Sequence, residues 1–97
     1  ENIYSTQVEN AIHRHPAVLE SAVIGIPDPE WGEIVKAVVV LKPGMHATEK
    51  EIIDTARKHL ASYQKPRSVS FVDSLPKAPT GKILKRELRT LYAEERT

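Results

Sequence analysis

Apolar positions fall at helical spacing in three stretches of the chain. In the first, Val8, Ala11, Ile12 and His15 recur at intervals of three and four, and Pro16 closes the segment. Thr6 and Glu9 precede most of this stripe as T-x-x-E, the spacing of a capping box that satisfies two orphan amides at a helix start. Thr48 and Glu51 repeat the device ahead of Ile52, Ile53, Ala56 and Leu60. There Glu49, Lys50, Asp54, Arg57 and Lys58 fall mostly on the opposite side. The third helix is predicted to begin near Thr80 or Lys82 and to turn Leu84, Leu88 and Leu91 inward. Its other face shows Lys85, Arg86 and Arg89.

Between the helices lie runs rich in β-branched residues. Val18–Ile26 is bounded by Pro16 and Pro27, and Glu33–Leu41 ends in Val38, Val39, Val40 and Leu41 before the turn signal Lys42-Pro43-Gly44. A shorter run, Ser68–Val72, carries Val69, Phe71 and Val72. Continuous runs of this kind suit strands covered on both faces, or on one face and an edge. The first two strands are joined by too few residues for a crossover, so they are predicted to pair antiparallel. The expected class is α+β: a small, mostly antiparallel sheet of about three strands with three helices packed on it. No linker or repeat divides the chain, so residues 1–97 are predicted to form a single domain.

Composition narrows the function classes. Apolar residues make up 40% of 97 residues, enough for a modest core but not for a large internal active-site cavity. A formal charge of +1 gives no general polyanion-binding surface, so nucleic acid would need a local basic patch. With no cysteine, disulfides, thiolate nucleophiles and cysteine-ligated zinc are excluded. The longest purely apolar run, Ala37–Leu41, is far short of the roughly 20 residues of a membrane helix. The chain opens on Glu1 without a leader pattern, so the expectation is an excised piece of a soluble, cytoplasmic protein.

Candidate chemistry concentrates after the third strand. Pro66, Pro76 and Pro79 make Leu75–Gly81 a stiff, exposed loop, a place where functional side chains tend to sit. Gly81-Lys82 suggests a phosphate loop, but Pro76 occupies the position of the first Walker glycine and Ile83 follows the lysine in place of Ser or Thr. The four glycines cannot form G-x-G-x-x-G either. Two readings of Lys82 stand. It is a solvated surface lysine, disfavoured near a helix N-terminus by only about 0.3–1 kcal/mol. Or it is a point charge held toward a separate partner whose developing negative charge it stabilises.

Other residues carry paired readings too. Trp31 is either a plug over the sheet end or an exposed ring lining a channel. Tyr63, Lys65 and Arg67 alternate in one segment and would share a side, able to stack a base and neutralise phosphate; the other reading is solvated charges at a helix exit. His13, His15, His46 and His59 lack the spacing of a metal site and read as ordinary surface or half-buried histidines. The basic cluster Lys82, Lys85, Arg86 and Arg89 is a solvated face or, as a rival, part of a nucleic-acid-binding α+β module.

The fragments that recur in order are Glu1-Asn2-Ile3-Tyr4-Ser5 with Val8-Glu9, His15-Pro16, Val23-Ile24-Gly25-Ile26-Pro27-Asp28 and Trp31-Gly32-Glu33. They continue with Tyr63-Gln64-Lys65-Pro66, Phe71-Val72-Asp73-Ser74-Leu75-Pro76-Lys77 and Pro79-Thr80-Gly81-Lys82-Ile83-Leu84-Lys85-Arg86-Glu87-Leu88. With them the whole chain resembles the C-terminal domain of the adenylate-forming acyl-CoA synthetases, related to luciferases and peptide-synthetase adenylation domains. The resemblance implies a mobile lid domain that swings between two orientations on a large N-terminal domain of the same polypeptide. It also implies a two-step reaction. ATP (with Mg2+) and a carboxylic acid give an acyl-adenylate and pyrophosphate; the coenzyme A thiol then takes the acyl group and AMP leaves.

By that resemblance Lys82 is the catalytic lysine of the adenylation step, supported by Thr80 and Gly81 in its loop. The segment from Glu1 and Asn2 lines the pantetheine tunnel, Trp31 lies beside the pantetheine arm, and Tyr63, Lys65 and Arg67 contact the coenzyme's nucleotide. Lys82 also matches a lysine acetylated in some members, which implies a lysine acetyltransferase as a partner. The glycine pair that usually precedes Glu1-Asn2 is missing, and the acid pocket and ATP-phosphate loop belong to the large domain. The 97 residues alone are therefore expected to be inactive and to hold no cofactor. The alternative, a peptide-synthetase subdomain docking a carrier protein, usually shows Asn-Gly-Lys-Val-Asp before the last helix. Thr80-Gly81-Lys82-Ile83-Leu84 leans toward the CoA ligases.

Overall fold

In the computed structural model, which describes residues 3–60 and 65–94, the elements run α1 (Ile3–Ile12), β1 (Val18–Asp28), β2 (Gly32–Leu41), α2 (Glu49–Lys58), β3 (Ser68–Phe71) and α3 (Lys85–Leu91). The strands form one sheet in the order β1-β2-β3. β1 and β2 pair antiparallel, with Val23 opposite Ala37 and Pro27 opposite Glu33. β3 joins β2 in parallel, Lys36 opposite Ser68, because α2 carries the chain back between them as a crossover. The sheet is thus mixed, with its longer ladder antiparallel.

Successive residues on a strand point to opposite faces, and here both faces are covered. Val23 of β1 and Ala37 and Val39 of β2 pack with Val8, Ala11 and Ile12 of α1 and Ile52 and Ala56 of α2. Ala22, Ile24 and Ile26, with Ile34, Val38 and Val40, pack instead against Leu75 and Leu88. Burial on both faces is why these strands read as unbroken apolar runs. β1 continues through Pro27, where the sequence suggested a boundary; β1 is an edge strand, where a residue without an N–H is tolerated.

The capping box of α2 forms as read. Glu51 N–H donates to Thr48 Oγ1 at 3.1 Å, and Thr48 N–H donates to Glu51 Oε1 at 2.8 Å. The matching box on α1 does not form at Thr6, because the helix already starts at Ile3 and Thr6 lies inside it. Glu9 instead accepts from Val23 N–H at 2.9 Å and pairs with Lys85 at 2.7 Å. α1 ends at Ile12, before His15, whose Nδ1 accepts from Ala17 N–H at 3.1 Å. On the last helix Leu88 is the buried residue, and Tyr92, four residues on at its C-cap, packs against the same cluster. Leu91 is 69% exposed, contrary to expectation.

Candidate functional site

The stretch around Lys82 is a small β-hairpin. Buried Leu75 roots it in the core, Lys77 bridges Ile83, and Leu84 N–H donates to Pro76 O at 2.8 Å. Gly81 N–H donates to Ala78 O at 2.8 Å, closing a β-turn with Pro79 and Thr80 at its centre. No residue other than glycine has positive φ among the described residues, so the turn is type I. Gly81, with φ +92°, then takes the left-handed position that lets the second arm return, and Ala78 N–H donates to Lys82 O at 2.8 Å. Proline pre-sets the turn and glycine completes it, so the local sequence specifies the shape.

Ile83 packs on the core, so its neighbour Lys82 on the same arm turns outward and is exposed. Among the described residues its ammonium has no hydrogen-bond or ion-pair partner. α3 begins at Lys85, not at Thr80 or Lys82, because the hairpin must close before the helix can start. Lys82 therefore stands outside the helix and its dipole.

A cleft of about 690 Å3 opens beside the hairpin. Its lining includes Lys82, Arg86 and Arg89 together with Tyr4 of α1 and Gly25 and Glu33 of the first two strands. The Glu33 carboxylate lies directly over Gly25, where an added Cβ would run into it. The basic residues noted in the sequence thus share a cleft but not a helix face: Lys82 precedes α3, and Lys85 is only 13% exposed in its pair with Glu9. A cation on a braced hairpin at the mouth of a cleft is suited to meet an anion presented by a partner.

Trp31 sits at the tip of the β1–β2 turn. Asp28 Oδ2 accepts from Glu30 and Trp31 N–H at 3.1 and 2.8 Å, and Gly32 has φ +81°. The indole is 66% exposed and belongs to neither core cluster, so it is not a plug over the sheet. Lys65 is half-buried and Arg67 exposed, on either side of buried Pro66. Arg67 lines a groove of about 420 Å3 with Lys36 and Glu49, and Lys65 does not reach it. Tyr63, Glu1 and Asn2 lie outside the described residues. Among the described residues no group of histidines and carboxylates gathers to hold a metal, and no helix is long and apolar enough to cross a membrane.

Two residues escaped the sequence reading. Lys36, 1% exposed on β2, reaches Ser68 Oγ at 3.3 Å and lies 4.7 Å from the Tyr92 ring centre. Its signal was a lone charge in phase with the inward-facing Ile34, Val38 and Val40. Glu9 was read as a cap because its spacing to Thr6 fits one.

Residues 7–82 match the family described as AMP-binding enzyme C-terminal domain. The chain belongs to this family. It is 49% identical over 92 residues to a feruloyl-CoA synthase of an Amycolatopsis species, covering 95% of this chain and 19% of that protein. A fatty acid–[acyl-carrier-protein] ligase, ScoC, of Streptomyces coeruleorubidus is 44% identical over 92 residues, covering 95% of this chain and 18% of that protein. Among solved structures, apo MatB from Rhodopseudomonas palustris superposes with a TM-score of 0.90 at 39% identity, covering 97% of this chain and 19% of that one. The AMP-binding C-terminal domain described here therefore spans less than a fifth of the length of these relatives.

Proposed function

We propose that this chain is the C-terminal domain of an acid–CoA ligase and that Lys82 is its catalytic lysine for adenylation. In the first step a carboxylate oxygen attacks the α-phosphorus of ATP, the bond to the bridging oxygen breaks, and pyrophosphate leaves. In the second the thiol sulfur of coenzyme A attacks the acyl carbon, the thiol proton is lost, and AMP leaves. The large N-terminal domain that relatives carry would supply the acid pocket and the ATP site. Magnesium would arrive with the nucleotide as part of the substrate.

One observation carries this reading: within a domain of this family, an ammonium with no partner among the described residues stands on a proline- and glycine-shaped hairpin beside an open cleft. Thr80 and Gly81 shape that hairpin, and Lys82 would stabilise charge that grows as the phosphoryl group transfers. Trp31 is proposed to flank the pantetheine arm, and the Tyr63–Arg67 segment to meet the coenzyme's nucleotide. An acetyltransferase acting on exposed Lys82 would neutralise it and stop adenylation.

In the full-length enzyme, Lys82→Ala should lower adenylate formation, followed by pyrophosphate exchange, by about 10²–10³-fold. Thioester formation from supplied acyl-adenylate should survive. A parallel loss of both half-reactions would remove Lys82 from the first step. The likeness to ScoC favours a second reading of the acceptor, a carrier protein in place of coenzyme A. Offering the pre-formed adenylate to coenzyme A and to a phosphopantetheinylated carrier protein separates the two.

A further inference from the structure

Among the described residues Lys82 has no partner, whereas Lys77 and Lys85, on either side of it, are both held. Lys77 Nζ meets Glu20 Oε2 of β1 at 2.5 Å, the two side chains 40% and 30% exposed. Lys85 Nζ meets Glu9 Oε2 of α1 at 2.7 Å, in a more enclosed setting of 13% and 18% exposure. The same Glu9 oxygen accepts from Val23 N–H at 2.9 Å on the edge strand β1. α1 covers one face of the sheet and Leu88 of α3 the other, so Glu9 joins the two layers around the edge of β1.

We propose that Glu9 and Glu20 are positioning residues for Lys82, fixing the hairpin at both ends so that its ammonium meets the reacting phosphoryl group. The inference rests on the adenylation role given to Lys82. A lysine side chain is long and freely rotating, so its placement depends on how firmly its backbone is mounted. Between the two pairs the hairpin has a single bridge and a tight turn of its own. Exposed ion pairs add little to global stability, so the effect of Glu20–Lys77 lies in where it puts the first arm. Glu9 acts at the other end. It brings Lys85, the first residue of α3, to the sheet edge despite the unfavourable helix dipole there.

The test uses the full-length enzyme with Glu9→Gln and Glu20→Gln combined, each amide still able to accept a hydrogen bond. The pair should lower kcat for adenylate formation by about 10-fold or more, since small misplacement of a catalytic group is costly. KM for ATP and for the acid should stay within about twofold, and thioester formation from supplied adenylate should be unchanged. The exchange of charges, Glu20→Lys with Lys77→Glu, should recover most of the rate that Glu20→Gln alone loses. In a Lys82→Ala background the carboxylate substitutions should cost nothing further. Adenylation within about twofold of wild type, or an equal loss with and without Lys82, would overturn the proposal. If the combined variant does not fold, Lys77→Gln alone, at an exposed site, decides by the same kcat criterion. A wild-type rate for Lys82→Ala alone would sink the adenylation role itself, whatever the carboxylates do.

Discussion

Glycine is required at Gly81 by its backbone, whereas at Gly25 only a movable side chain occupies the space above it. Gly81 has φ +92° and nothing within 4 Å of an added Cβ, so only backbone strain opposes a side chain there. Gly81→Ala should cost about 1–2 kcal/mol, borne by the hairpin. Faster hydrogen exchange of the Ala78 amide and slower adenylate formation would report it, with thioester formation from supplied adenylate unchanged. At Gly25 an added methyl meets the flexible Glu33 side chain, which can move aside. The sequence marked Gly81 as the end of a stiff loop. It could not reveal the return arm, because the pairing of Lys77 with Ile83 is a single bridge with no periodic signal. Glu9 was legible as acidic and wrongly placed for a related reason. T-x-x-E spacing is local, and the competing partners, Val23 N–H and the Lys85 ammonium, come from distant parts of the chain.

Elements with both a stripe and a cap were the most legible. α2 has Ile52 and Ala56 inside and a complete capping box. Thr48→Ala removes the oxygen that accepts from Glu51 N–H at 3.1 Å. It should destabilise the domain by about 1 kcal/mol, seen as a lower denaturant midpoint with an unchanged slope. On the far side of this helix the exposed Lys50 ammonium bonds Asp54 at 2.8 Å and holds its carboxyl below the ordinary range. Strands β1 and β2 were legible because a short turn admits only an antiparallel pair. The direction of β3 depended on the crossover through α2, and a four-residue strand carries too little pattern to announce it. α3 was misjudged at both ends for one reason. Seven residues make barely two turns, so the inward side, marked by buried Leu88 with Tyr92 packed beside it, had to be set by the core and not by periodicity.

At the scale of the whole molecule, Trp31 and Lys82 stand on separate hairpins, and the cleft that Lys82 lines does not include Trp31. That separation suits a domain that offers one surface to adenylation and another to the thiol acceptor, as proposed for the full-length ligase. The two residues should therefore dissociate in their effects. Trp31→Ala should raise the apparent KM for coenzyme A about 10-fold, the loss expected when a large ring stops contacting the ligand. Pyrophosphate exchange should not change. Stability should shift by no more than about 0.5 kcal/mol, because the ring is 66% exposed and packs in neither core cluster. An unchanged KM would leave the indole as an exposed ring with no part in acceptor binding. A drop in exchange as well would mean that one docked orientation uses both hairpins, and the division between the two surfaces would have to be abandoned.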